Sequence, residues 1–258
     1  MLGAITGDIV GSIYEFDNIK STDFPLFSDG CFFTDDTVLT VALAEAIITG
    51  GCYETLMKEY FQRYPDAGYG KRFCAWARGD IVGPYKSYGN GAAMRISPVA
   101  WAFDTLEEVL QKAKEYTVIT HNHREGIKGA QATAATIYLG RTGSTKEGIR
   151  DYIKQTFGYS LSKTCDQIRP KYKFDESCQR TVPQAITAFL ESNDFEHAIR
   201  LAISLGGDSD TLACITGSIA EAFYGEVPTW IAEKTLNILD EPLKNIVCSF
   251  RSCKVSMI

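Results

Sequence analysis

Two short acidic clusters in this sequence have the residue types and spacing of a site for a hard cation. The first is Phe33-Thr34-Asp35-Asp36-Thr37; the second is Gly206-Gly207-Asp208-Ser209-Asp210-Thr211. Each stands directly before an apolar run with helical periodicity, so each also has a plainer reading. Threonine, serine and aspartate are good helix N-caps, and acids suit the first helical turn. Taken together the clusters ask for more than capping. Four carboxylates gathered in one pocket repel one another, and burying them unpaired costs several kcal/mol each. Two divalent cations would cancel the four charges, and threonine hydroxyls would complete an oxygen shell. The chain has three histidines and no Cys/His cluster, which favours Mg2+, with Mn2+ as a substitute, over zinc.

Between the clusters lies Lys86-Ser87-Tyr88-Gly89-Asn90-Gly91-Ala92-Ala93-Met94-Arg95. Glycines at alternate positions just before a helix-forming run free backbone N–H groups to face an anion, with Arg95 within reach. Gly-Asn-Gly is also an everyday turn. Thr120-His121-Asn122-His123 follows, and a histidine beside a helix start is a cap, a core residue or a ligand-facing group.

These groups need elements to position them. Apolar residues recur at helical spacing almost everywhere, and strand-like alternation is nearly absent. The chain therefore reads as all-α. The stripe Val38, Leu39, Ala42, Leu43, Ala46, Ile47 predicts a helix closed by Gly50-Gly51. Capping-box patterns occur at Thr105/Glu108, Ser144/Glu147 and Asn193/Glu196. Further helices are expected near 54–63, 124–140, 183–191, 211–223 and 229–238. Loops are expected at 64–72, 79–91 and 164–180. Gly3, Gly7 and Gly11 share one helical face and let two backbones approach closely, so a central first helix should set Asp8 and Glu15 in place.

The whole chain limits the alternatives. It has 258 residues, 45% hydrophobic and 22% charged, with a net charge of −6. That balance gives no electrostatic reason to expect a nucleic-acid partner. The N-terminus lacks a basic n-region and Asp8 interrupts its apolar run, so neither a signal peptide nor a membrane span is expected. Eight cysteines without metal or disulfide spacing fit reduced thiols in a cytoplasmic protein. Acids on both sides of 164–180 argue for one domain over 1–258, and a monomer is expected.

The ordered set Gly7-Asp8-Ile9-Val10-Gly11, Thr34-Asp35-Asp36-Thr37, Gly89-Asn90-Gly91-Ala92-Ala93-Met94-Arg95, Thr120-His121, Gly206-Gly207-Asp208-Ser209-Asp210-Thr211 and Tyr224-Gly225 resembles the ADP-ribosylglycohydrolase family. The resemblance covers nearly the whole chain. It implies a compact orthogonal multi-helix bundle with a central dimetal cleft. It also implies two Mg2+ held by Thr34, Asp35, Asp36, Asp208, Asp210 and Thr211. By the same match Ser87, Tyr88, Gly89, Asn90, Gly91, Met94, Arg95 and His121 would bind ADP-ribose, with His123 in reserve. Glu15 would be the mobile glutamate that covers the metals. Glu221 departs from the pattern, standing where many relatives have glycine, and Ser87-Tyr88-Gly89-Asn90-Gly91 looks more like the serine-specific members.

The implied reaction hydrolyses the glycosidic bond between ADP-ribose and a serine or arginine side chain, or a related small acceptor. Its transition state resembles an oxocarbenium ion, so the leaving group needs a proton or Lewis acid and water needs a base. Glu15, Asp35, Asp36 and Asp208 are the catalytic set, with Glu15 the mapped carboxylate left free for proton transfer. Two other readings are a two-metal nucleotide phosphohydrolase and a non-catalytic relative that binds ADP-ribose or serves a structural role.

Overall fold

Glycine at every fourth position of the first helix sets the centre of the molecule. In the computed structural model, which describes residues 1–255, Leu2–Gly11 is a helix whose every residue is buried. It packs most extensively against the Ser209–Tyr224 helix. A Cβ on Gly3 would lie 2.2 Å from the Gly217 carbonyl oxygen, one on Gly7 2.0 Å from that of Ala213, and one on Gly11 2.5 Å from the Asp210 Cα. The partners descend as the glycines ascend, so the two helices run antiparallel with their backbones in contact. No side chain fits at these three positions, and the close approach pins Asp210 to the end of the first helix, where the segment bearing Glu15 begins.

Around this pair pack the helices Arg124–Arg141, Cys178–Glu191 and Phe195–Ser204, and Asp35–Thr49 packs against the first helix and against the C-terminal Glu241–Val255 helix. One apolar core extends from Met1 to Phe250. Among the described residues there is no strand, and Gly89 and Ser177 form an isolated bridge. The chain is thus an all-α multi-helix bundle. No helix among the described residues is long and apolar enough to cross a membrane, and all eight cysteines are free.

Helix ends moved in physically legible ways. Thr105 caps the helix Leu106–Thr117 by accepting from the Glu108 N–H at 3.2 Å. At the other two predicted boxes the cap sits one residue later. Thr145 accepts from Gly148 and Asp194 from His197. The reciprocal capping box belongs to Thr164 and Gln167, opening a short helix Cys165–Ile168 inside the expected 164–180 loop. The expected 64–72 loop ends sooner, because Lys71–Arg78 is helical with Phe73, Trp76 and Ala77 buried. Pro183 opens no helix but lies inside Cys178–Glu191. At Glu221 the carboxylate accepts from the Gly3 N–H at 2.8 Å and pairs with the amine of Met1 at 2.5 Å. The departure from glycine is therefore filled by a buried ion pair.

Candidate active site

The ends of several helices and the loops between them meet in a cleft of about 660 Å³ that contains both acidic clusters. Thr34 is the N-cap of Asp35–Thr49, and its Oγ1 accepts from the Asp36 N–H at 3.3 Å. The plainer reading of the first cluster thus holds for this threonine. It does not hold for Asp208, which occupies the N-cap position of Ser209–Tyr224 without a side-chain cap bond. Its carboxylate turns away and accepts from the Asn90 amide at 2.6 Å.

The acids gather in two overlapping sets. Carboxylate oxygens of Asp8, Asp36 and Asp210 lie within 4.8 Å of one another, and so do those of Glu15, Asp208 and Asp210. Asp210 is common to both. Thr211 Oγ1 donates to Asp36 Oδ2 at 3.2 Å, and Thr34 Oγ1 lies 3.3 Å from the same oxygen. Asp35 lines the cleft but stands outside both sets. Asp36 Oδ1 is buried without a hydrogen-bond partner. No lysine or arginine forms an ion pair with any of these acids among the described residues. An orphaned carboxylate oxygen amid unneutralised acids and hydroxyls is what hard divalent cations require, so the donor set fits them.

Electrostatics agree with the geometry. Burial pushes Asp8 up to about 6, against hydrogen bonds from Thr37 and Thr34. Burial pushes Asp35 up to about 7; Arg95 opposes the rise while Asp8, Asp208 and Glu15 add to it. Asp36 and Asp210 rise well above the usual carboxylate range through burial first, then neighbouring negative charge. Glu15, half-buried, is pushed up to about 7 by burial, then by Asp208, Asp8 and Glu176. Each of these shifts measures how strongly the site disfavours its own charge in the absence of a cation.

Asp8 has no place in the ligand set the resemblance implies. Its carboxylate accepts from the Thr34 N–H at 2.9 Å, the Thr34 hydroxyl at 2.7 Å, the Thr37 N–H at 3.1 Å and the Thr37 hydroxyl. Four donors occupy most of its lone pairs. Asp8 therefore clamps the start of the Asp35–Thr49 helix and adds negative charge beneath it. Its signal in the sequence is an acid inside an otherwise apolar helix.

The cleft is also lined by cationic and aromatic side chains. Arg95 is buried, donates to the Gly91 carbonyl, and lies over the Phe73 ring at 5.7 Å. It has no carboxylate ion pair among the described residues. Its Nη2 would lie 2.7 Å from a Cβ on Gly91, so glycine there lets the backbone pass the guanidinium. The glycine loop differs from expectation in one respect. The Gly89 N–H is taken by Ser87 Oγ at 3.2 Å and the Asn90 N–H by the Glu176 carbonyl at 2.6 Å. Arg95 supplies the loop's positive charge instead.

The other mapped residues separate into two groups. Ser87, Gly89, Asn90, Gly91, Met94 and His121 line the cleft. His121 is buried, its Nδ1 is 2.8 Å from the Thr120 hydroxyl, and its Nε2 would be 3.4 Å from a Cβ on Gly91. Burial, then Arg95 and Arg72, holds it well below the usual histidine range, so the ring is neutral. Tyr88 is not in the lining: it is half-exposed, its ring 5.3 Å from His123. His123 accepts from the Glu125 N–H at 3.1 Å and is a helix cap. Lys71, Arg72, Tyr69 and Phe73 also line the cleft, although the sequence reading left this stretch mostly as loop. At the acidic end Phe16 and Phe174 stack at 6.3 Å, both exposed.

Fold and cleft together define an all-helical enzyme with an acidic centre suited to cations. The profile of the ADP-ribosylglycohydrolase family matches residues 1–248, and the chain belongs to that family. It is similar to human ADP-ribosylhydrolase ARH3, with 23% identity over 307 aligned residues covering 87% of this chain and 84% of the relative. It is also similar to the ADP-ribosylarginine hydrolase Tri1 of Pseudomonas putida, with 27% identity over 273 residues covering 90% and 72%. A solved ADP-ribosylglycohydrolase-related protein complex has the same fold, with a TM-score of 0.73 and 24% identity over 96% of this chain and 95% of that one.

Proposed function

We propose that this chain, acting as one domain over residues 1–258, hydrolyses the glycosidic bond between ADP-ribose and a modified acceptor with Mg2+ as cofactor. The acceptor is a serine or arginine side chain or a related small group. The observation that carries this reading is the pair of carboxylate sets sharing Asp210, with Asp36 Oδ1 unpartnered, in one cleft with Arg95.

Thr34, Asp35, Asp36, Asp208, Asp210 and Thr211 would hold two Mg2+, with Asp36, Asp208 and Asp210 contributing the oxygens that lie closest together. Bound there, the cations supply Lewis acidity and lower the pKa of water. The protein's own groups do the rest. Arg95 and the Ser87–Gly91 loop bind the diphosphate and orient the ribose, and neutral His121 offers a hydrogen bond beside them. Glu15 exchanges protons with water and the leaving group. Asp8 keeps Thr34 and Asp36 in register.

The decisive assay incubates the protein with arginine- and serine-linked ADP-ribosyl peptides, with Mg2+ or with chelator, and identifies the product. Free ADP-ribose, formed with Mg2+ and lost on chelation, is the expected result. AMP would mean a phosphohydrolase, and no product would mean a binding protein.

The raised pKa values carry a prediction for stability. Asp8 and Asp35 ionise near 3.8 when unfolded and at about 6 and 7 when folded. Between these values the folded, metal-free state binds more protons than the unfolded one, so stability falls as pH rises. Metal-free protein should therefore melt at a higher temperature at pH 5.5 than at pH 7.5, with the window set by those two shifts. Saturating Mg2+, which competes with protons for the same oxygens, should raise the melting temperature most at pH 7.5 and flatten the trend. A melting curve at pH 7.5 that ignores both chelator and Mg2+ contradicts the cation site.

A further inference from the structure

Glu15 follows the 3-10 turn Ser12–Tyr14 and lies outside every helix, yet its carboxylate sits among those of Asp208 and Asp210. The side chain of Asn18 supplies the missing restraint. Its Oδ1 accepts the Gly207 N–H at 2.6 Å and its Nδ2 lies 2.9 Å from the Gly207 carbonyl oxygen. One amide thus pairs with both backbone groups of the residue immediately before Asp208. The same Nδ2 is 2.6 Å from the Tyr14 carbonyl oxygen and 2.9 Å from that of Glu15. Its two hydrogens are shared among three carbonyls, and this surrounding fixes the amide's orientation.

The turn it grips needs its glycines. Gly206 and Gly207 have φ of 67° and 80°, a conformation other residues rarely adopt. A Cβ on Gly206 would lie 3.2 Å from Asn18 Oδ1. Two residues beyond Asn18, Lys20 Nζ donates to the Leu205 carbonyl and, at 3.0 Å, to that of Tyr172. The segment after the first helix is therefore tied at two points to the turn that presents Asp208.

We propose that Asn18 is a positioning residue: its amide holds the backbone of Glu15 in the closed arrangement, in which the Glu15 carboxylate stands against those of Asp208 and Asp210. The proposal rests on Glu15 being the proton-transfer group, as argued above. Only an amide serves, because aspartate would accept from Gly207 but lose every bond to the three carbonyls, and alanine would lose all four.

The test is a double-mutant cycle. Single-turnover release of ADP-ribose from arginine- and serine-linked peptides is measured for N18A, E15Q and the double variant, alongside ADP-ribose and Mg2+ binding. N18A should slow release by about 10- to 100-fold, the scale of a misplaced reacting group, while both affinities stay at wild-type values. In the E15Q background the same change should cost less than about twofold, because residues acting through one another are not additive. N18D should behave as N18A does. An equal loss in both backgrounds, or weakened Mg2+ binding in N18A, overturns the positioning role. E15Q at wild-type rates overturns the reading of Glu15 itself, leaving Asn18 nothing to position.

Discussion

Asp210→Ala should abolish turnover and weaken binding of both proposed cations, while the protein stays folded. Asp210 belongs to both carboxylate sets, so its loss removes one oxygen donor from each. Removing a neighbour such as Asp208 touches only one. Lewis-acid stabilisation of a reacting oxygen is worth several kcal/mol, so its loss slows release by about 10³-fold or more. The fold should survive, because the substitution relieves repulsion rather than creating it. Asp210 is held above the usual carboxylate range by burial and by Asp208 and Asp36. The metal-free variant should therefore melt higher than the metal-free parent at pH 7.5, and Mg2+ should add little to it. Calorimetry that finds two undiminished Mg2+ sites in Asp210→Ala would falsify the ligand assignment.

Asp35 offers a contrast with Asp210. It is an acid of the first cluster, but its N–H is engaged by the Ala67 carbonyl at 2.7 Å and its carboxylate lies outside both sets. Alanine there should cost less cation affinity than at Asp210. Adjacent residues at the first turn of a helix point about 100° apart. Asp35 and Asp36 nevertheless both line the cleft and feel the charges of Asp8 and Asp208, and Asp36 is the one of the two whose carboxylate oxygen falls within a compact set.

What the sequence made legible was periodicity and local chemistry. Gly3, Gly7 and Gly11 announced a backbone contact because nothing else explains small residues on one helical face. The structure fills that contact with Gly217, Ala213 and Asp210. The acidic clusters were visible because carboxylates beside apolar helices conflict with burial unless something neutralises them. Contributions from segments distant in the chain were not legible. Glu176 reaches the cleft by giving its carbonyl to the Asn90 N–H, and Asn18 reaches Gly207 across 189 positions. Neither pairing has a local signature. Tyr69, Arg72 and Phe73 were hidden for another reason. Gly68 and Gly70 mark a turn, and a helix starting at Lys71 carries them onto the cleft wall.

Glu15→Gln should separate binding from chemistry. The glutamine side chain has nearly the same shape and still hydrogen-bonds, but it can neither give up nor take a proton at neutral pH. Glu15 lies within 4.8 Å of carboxylate oxygens of Asp208 and Asp210, whereas the proposed diphosphate contacts come from other residues of the cleft, Arg95 and the Gly89–Gly91 loop. ADP-ribose affinity should therefore survive the change. Release should fall by about 10²- to 10⁴-fold, the range of a lost general acid or base. In the metal-free cleft, burial, then Asp208, Asp8 and Glu176, pushes Glu15 up to about 7, and cations bound beside Asp208 would lower it again. The loss should be larger for a serine-linked than for an arginine-linked substrate, because an alkoxide leaves poorly without a proton and a guanidine needs it less. Side-by-side single-turnover rates and ADP-ribose titrations decide the matter. Wild-type rates on every cleavable substrate would assign water activation to the aspartates alone. An equal loss of affinity and rate would place Glu15 in substrate binding rather than in proton transfer.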